Sequence, residues 1–226
     1  MSYIPHTRIF YCNGILASQE DADNVSGEIR HIANVRTKSH YNDTTTSEKV
    51  SQIVTRLGLG MAMAKVSEEF AAKGSELIKS GLDDLLGLPD AKLICANKLA
   101  DRIERYLRKP SRKVVLVFHS QGAHIGLLAL VKLHSLKDRI KVITIGGMFD
   151  IPTDLAQRVV NFQNHVDFIA TIKPLIKTMY GHQGLISEES KKIIATEGHD
   201  PLSAHYALNY VSHRDFQTVL KNFVRS

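Results

Sequence analysis

The turn Phe118-His119-Ser120-Gln121-Gly122 joins a β-branched apolar run to a stretch with helical character. A serine in such a turn has its hydroxyl held clear of the backbone at the end of a strand. The helix that follows directs unpaired N–H groups toward negative charge developing there. That arrangement suits acyl transfer. A serine hydroxyl is a weak nucleophile by itself, so the chemistry requires a histidine base, oriented in turn by a carboxylate. The chain has 11 histidines. His119 adjoins the serine and is expected to point away from it. His124, one helical turn further on, reads as a packing or helix-surface residue. No pair of histidines has zinc-ligand spacing with a partner, so no metal centre and no organic cofactor is expected. Cys12 lies in a different turn and reads as a small buried residue.

The turn resembles the nucleophile elbow of the α/β-hydrolase superfamily, whose usual form is G-x-S-x-G. It departs from that form at Phe118, where a bulky ring stands in place of glycine and needs local room. The resemblance implies a serine hydrolase of lipase or esterase character that cleaves an ester or thioester, the substrate being either a small-molecule or a lipid acyl ester. In this superfamily the chain order is nucleophile, acid, base. Asp167, beyond the run Val159–Phe162, is the preferred acid, and Asp150 is the alternative. For the base, His205 opens His205-Tyr206-Ala207, similar to the His-Tyr pattern of several lipase-like branches. His199, in Gly198-His199-Asp200, is the alternative and has the merit of a loop position. One oxyanion donor is the N–H of Gln121. The second is expected from the loop Tyr11-Cys12-Asn13-Gly14-Ile15, which resembles the oxyanion loop of lipase-like hydrolases, so Gly14 and Ile15 join the candidate site.

Those residues must be carried on an α/β framework, a mostly parallel sheet flanked by helices, because β-rich runs alternate with helical stretches. Strands are expected at Arg8–Cys12, Val35–Tyr41, Lys113–Phe118, Ile140–Ile145, Val159–Phe162 and Lys192–Thr196. Helices are expected over 20–32, 121–134 and 216–224, with a further helix opened by Asp200-Pro201 and enclosing His205. From Thr46 to about Tyr106 the residue pattern is helical, and residues 46–90 are a candidate lid or crossover. From Val114 to Val131 there is no Lys, Arg, Asp or Glu. That length touches the lower limit of about 18 residues for a membrane span. The polar cluster at its centre argues instead for a buried strand, a turn and a helix.

The composition agrees with one globular domain over 1–226: the chain has 226 residues, 43% hydrophobic and 23% charged. Two cysteines suit a reducing compartment. With no signal-peptide pattern at the N-terminus, the default expectation is the cytoplasm, export by another route staying open. The net charge of +6 raises nucleic acid or an anionic membrane as partners. The basic residues are dispersed and lack aromatic interleaving, so no nucleic acid is expected, while peripheral contact with an anionic membrane stays open. The competing functional reading is a hydrolase-like scaffold that has lost catalysis and serves as a binding or effector protein.

Overall fold

The computed structural model describes residues 6–14, 17–42, 56, 73, 75–77, 79–80, 89–167, 169–170, 173, 191–194 and 203–226. Six strands run in chain order as β1 (Thr7–Cys12), β2 (Thr37–His40), β3 (Lys113–His119), β4 (Ile140–Ile145), β5 (Arg158–Asn164) and β6 (Lys191–Ile194). The α-helices among them are α1 (Gln19–Ala33), α2 (Pro89–Leu107), α3 (Gly122–Lys132), α4 (Ala207–Ser212) and α5 (Arg214–Arg225). The strands form one sheet in the order β2-β1-β3-β4-β5-β6, and every neighbouring pair is parallel.

That order decides where a site can form. The chain moves outward from β1 to β2, then returns across β1 to lay down β3 on its other side, and continues outward to β6. Crossovers therefore diverge between β1 and β3, leaving a crevice at the carboxyl ends of those two strands. Cys12-Asn13-Gly14 and His119-Ser120 are the residues that end them.

The sequence explains the layers. In β3, alternate side chains enter opposite faces. Val114, Leu116 and Phe118 join the core with α2 and α3. Val115 and Val117 join the core with α1, α4 and α5. Continuous apolar strands buried on both faces are the signature of a parallel sheet. Helix α5 buries Phe216, Val219, Leu220, Phe223 and Val224, one stripe at helical spacing. Helix α1 opens on a capping box in which Ser18 and Asp21 satisfy each other's backbone N–H groups.

Phe118 finds its room in α3. A Cβ on Gly126 would strike the Phe118 ring, and that ring is fully buried. The space a glycine before the nucleophile would have left is thus supplied by a glycine one turn into the helix.

Several expected boundaries shift. Strand β2 is shorter than Val35–Tyr41, as befits an edge strand with mixed exposure. A 3-10 segment, His134–Arg139, follows α3. His205 lies outside the helix expected to enclose it: it ends a 3-10 turn, Ser203–His205, and Tyr206 is extended at φ −61°, ψ 131° before α4 begins. The chain divides into two compact units, Met1–Asn42 with Cys95–Ser226, and Asp43–Ile94. The sheet belongs to the first. In the second, the described residues are helical and Arg56 Nη1 donates to Ser80 Oγ at 3.4 Å. The candidate lid at 46–90 lies mostly outside the described residues. No helix among the described residues is long and apolar enough to cross a membrane.

A Gly126→Ala substitution tests the packing of Phe118. Alanine favours a helix by about 1 kcal/mol over glycine, but overpacking a closed core costs about 1–3 kcal/mol. The fully buried ring cannot swing aside, so a net loss is expected in the urea-unfolding free energy, and adding Phe118→Leu should restore part of it.

Candidate active site

Ser120 lies at the carboxyl end of β3 with φ +54°, in the left-handed region. A non-glycine residue there carries strain of about 1–3 kcal/mol and persists only where its surroundings enforce it. They do so from two sides. Ser120 N–H donates to the Ile145 carbonyl at the end of β4 (3.3 Å), and its own carbonyl accepts from Ala123 (3.1 Å) and Met148 (3.2 Å). The turn at Ser120 is therefore tied both to α3 and to the loop after β4. Gln121, at the helix start, is buried behind it.

The first-strand loop closes on the serine. A Cβ on Gly14 would overlap the Ser120 side chain, 2.9 Å from its Oγ and 3.4 Å from His119 Nδ1. Only a residue without a side chain allows this approach. A buried polar chain fixes the loop: Asn13 Nδ2 donates to the Gly14 carbonyl (2.7 Å), Asn42 N–H donates to Asn13 Oδ1 (2.8 Å), and Asn42 Nδ2 donates to Gln121 Oε1 (2.8 Å). Ile15 lies outside the described residues.

The acid and base candidates meet two strands away. Strand β5 ends at Asn164, whose carbonyl accepts from Asp167 N–H (3.2 Å). Asp167 is fully buried. His205 Nδ1 lies 3.0 and 2.9 Å from its two oxygens. Tyr210 on α4 donates its hydroxyl to Oδ2 at 2.6 Å, and Ile169 N–H donates to Oδ1 at 2.8 Å. Burial by itself would push the Asp167 carboxyl up, but the adjoining His205 and these donors outweigh it and hold the group below its ordinary value. The Tyr210 hydroxyl is pushed up by burial and by the Asp167 charge, so it stays a donor. An ionised Asp167 demands a proton on His205 Nδ1 and leaves the lone pair on Nε2, the tautomer a general base needs.

Gly146 makes the juxtaposition sterically feasible. Its φ is +52°, and a Cβ there would lie 2.7 Å from Asp167 Oδ2 and 3.2 Å from His205 Nδ1. Because Ser120 hydrogen-bonds to the residue just before Gly146, Ser120 and the Asp167–His205 pair flank the end of one strand, β4.

Asp150, the alternative acid, is committed elsewhere: its Oδ1 pairs with Lys173 Nζ at 2.7 Å. His199, the alternative base, lies outside the described residues. His124 packs edge-on against Phe149, ring centroids 5.0 Å apart. Cys12 is fully buried and its thiol is pushed well up by that burial. Among the described residues no three His, Cys, Asp or Glu side chains converge to hold a metal ion.

His119 has a role the sequence expectation, which only turned it away from Ser120, did not include: its ring lies against His205. Its Nε2 lies 2.7 Å from the His205 carbonyl oxygen, and the two rings stand 4.7 Å apart at 34°. Strand alternation is the reason: residue 119 shares a face with Val115 and Val117, the face on which α4 packs. Sequence reasoning also passed over Tyr210, Asn13, Asn42 and Gly146. The Gly146-Gly147 pair after a strand was a visible signal, and Asn13 stood in the candidate oxyanion loop; Asn42 carried none, because its partners Asn13 and Gln121 lie far away in the chain.

Comparison with protein families and with curated proteins found no match. Among solved structures, the chain is similar to a protein of the alpha/beta hydrolase superfamily from Xanthomonas campestris pv. campestris (12% identity, TM-score 0.48, 95% of this chain and 98% of the other). It is also similar to a cutinase-like protein from Cryptococcus sp. (13%, 0.45, 97% and 93%). A third is an esterase from Pyrobaculum calidifontis (8%, 0.44, 97% and 75%). At such identities and TM-scores nothing about this chain is argued from these proteins.

Burial, followed by the nearness of His205, holds the His119 imidazolium down to about 3. An unfolded chain titrates it near 6.5. Between those values the unfolded state binds a proton that the folded state does not, so stability rises with pH across the window. The contribution is fully present above about 6.5 and fades as pH falls toward about 3. Urea-unfolding free energies at pH 7 and pH 5 should therefore differ more in wild type than in H119F.

Proposed function

We propose that this protein is a serine hydrolase that cleaves a carboxylic ester or thioester, with Ser120 as nucleophile, His205 as base and Asp167 as the acid that orients it. One observation carries the reading. A buried carboxylate fixes the tautomer of a buried histidine, at the end of the same strand that anchors a serine in left-handed backbone.

In the reaction, Ser120 Oγ attacks the acyl carbon while His205 Nε2 accepts its proton. Asp167 stabilises the imidazolium that forms. The oxyanion is met by the Gln121 N–H and by the loop at Gly14 and Ile15. The imidazolium returns the proton to the leaving alcohol or thiol, and water, activated by the same histidine, releases the acyl group from the serine.

A fluorophosphonate probe and a series of p-nitrophenyl esters of increasing chain length test this. Wild type should be labelled and S120A should not. In ester hydrolysis, removing the serine or the base should cost on the order of 10^4-fold or more in kcat, and D167N about 10^3–10^4-fold. Labelling of S120A at the wild-type rate, or no label on folded wild type, would sink the reading.

G14A probes the oxyanion loop separately. Its Cβ must displace either the loop or the serine hydroxyl, so a loss of about 10^2–10^3-fold in kcat is expected, with the fold retained.

A further inference from the structure

We infer that His119 is a positioning residue of this site, which holds the main chain of His205 through its Nε2–H while its ring backs the His205 imidazole. The inference rests on the acyl-transfer reading and adds to it the element that keeps the base in place.

His205 needs such an element. Its side chain is oriented by Asp167, but its main chain ends a 3-10 turn only three residues long, Ser203–His205, and the next residue is extended. Turns of this kind hold their backbone weakly. His119, by contrast, ends a strand that is paired on both sides, with β1 and with β4. A hydrogen bond of 2.7 Å from that strand to the His205 carbonyl transfers the rigidity of the sheet to the turn.

The protonation of His119 follows from its partner. A carbonyl oxygen can only accept, so the proton of His119 must lie on Nε2. Burial keeps the ring neutral at working pH. When His205 takes up the serine proton, its neighbour at 4.7 Å is therefore a neutral ring already donating its one proton, and the charge stays where the leaving group can use it.

The other nitrogen shows that this is more than packing. His119 Nδ1 is sealed from solvent and has no hydrogen-bond partner. A buried acceptor without a donor is a cost that an apolar ring of similar size would avoid. The chain tolerates it in return for the donor on the opposite side of the ring.

The test uses the full chain and compares H119F, which keeps a ring and loses the donor, with H119Q, whose amide can reach the same carbonyl. H119F should fall about 10–100-fold in kcat and in the limiting rate of fluorophosphonate labelling, with KM little changed, and H119Q should recover to within a few-fold of wild type. In the long-range nitrogen–proton NMR spectrum of wild type at neutral pH, His119 should show a protonated Nε2 and a bare Nδ1. Labelling of folded H119F at the wild-type rate, an H119Q as slow as H119F, or a proton on Nδ1 would overturn the inference. Should H119F fail to fold, the tautomer and H119Q still decide. If wild type takes no label, the hydrolase reading itself fails, a result distinct from equal labelling of wild type and H119F.

Discussion

Ser120 can keep its left-handed backbone only while β3, β4 and α3 hold it from several directions, and the other features of the site are arranged around that constraint. Its N–H is bound to the end of β4 and its carbonyl to the start of α3 and the loop after β4. The first-strand loop then comes up against the hydroxyl, because Gly14 presents no side chain. Even the bulky Phe118 fits this scheme, since its ring lies over Gly126 of the helix that the elbow launches. Strain at one residue is thus distributed over the best-paired region of the sheet, where the surrounding structure can sustain it.

The second organising feature is electrostatic. Asp167 is a fully buried carboxyl, which is costly unless it is ionised against a partner and hydrogen-bonded throughout. His205, Tyr210 and Ile169 together supply those partners. Tyr210 has a second bond, accepting from Asn164 N–H at 3.0 Å, so the carboxylate, the tyrosine and the end of β5 form one network. In that network Tyr210 donates to Asp167 and accepts from Asn164, and Asp167 accepts from Tyr210, Ile169 and His205 Nδ1. His119 adds a further fixed role, as a neutral donor to the main chain of His205.

Local signals in the chain were sufficient for the framework. The β-branched runs at Val114–Phe118 and Ile140–Ile145 can hardly be anything but buried strands, and the serine turn between strand and helix is legible from five consecutive residues. At His205 the departure from local expectation has a non-local cause. The helix expected around His205 was drawn from Asp200-Pro201, a sound start signal, yet the chain at His205 bends to meet Asp167, and the helix begins only at Ala207. His119 was assigned by the geometry of the elbow alone, although strand alternation already placed it on the face shared with Val115 and Val117.

The sequence by itself determined the parallel α/β class, the strands that carry the site and the residue types able to act in it, because each depends on periodicity or on neighbours within a few positions. The tertiary structure alone decided which carboxyl is paired with a histidine and which with a lysine, and which side of β3 faces the base. Asp150 and Asp167 are alike as sequence, each following a strand. They diverge because Lys173 reaches one and His205 and Tyr210 reach the other. Such pairings depend on strand order and on which helix covers which face, and neither is encoded in the residues adjoining the carboxyl group.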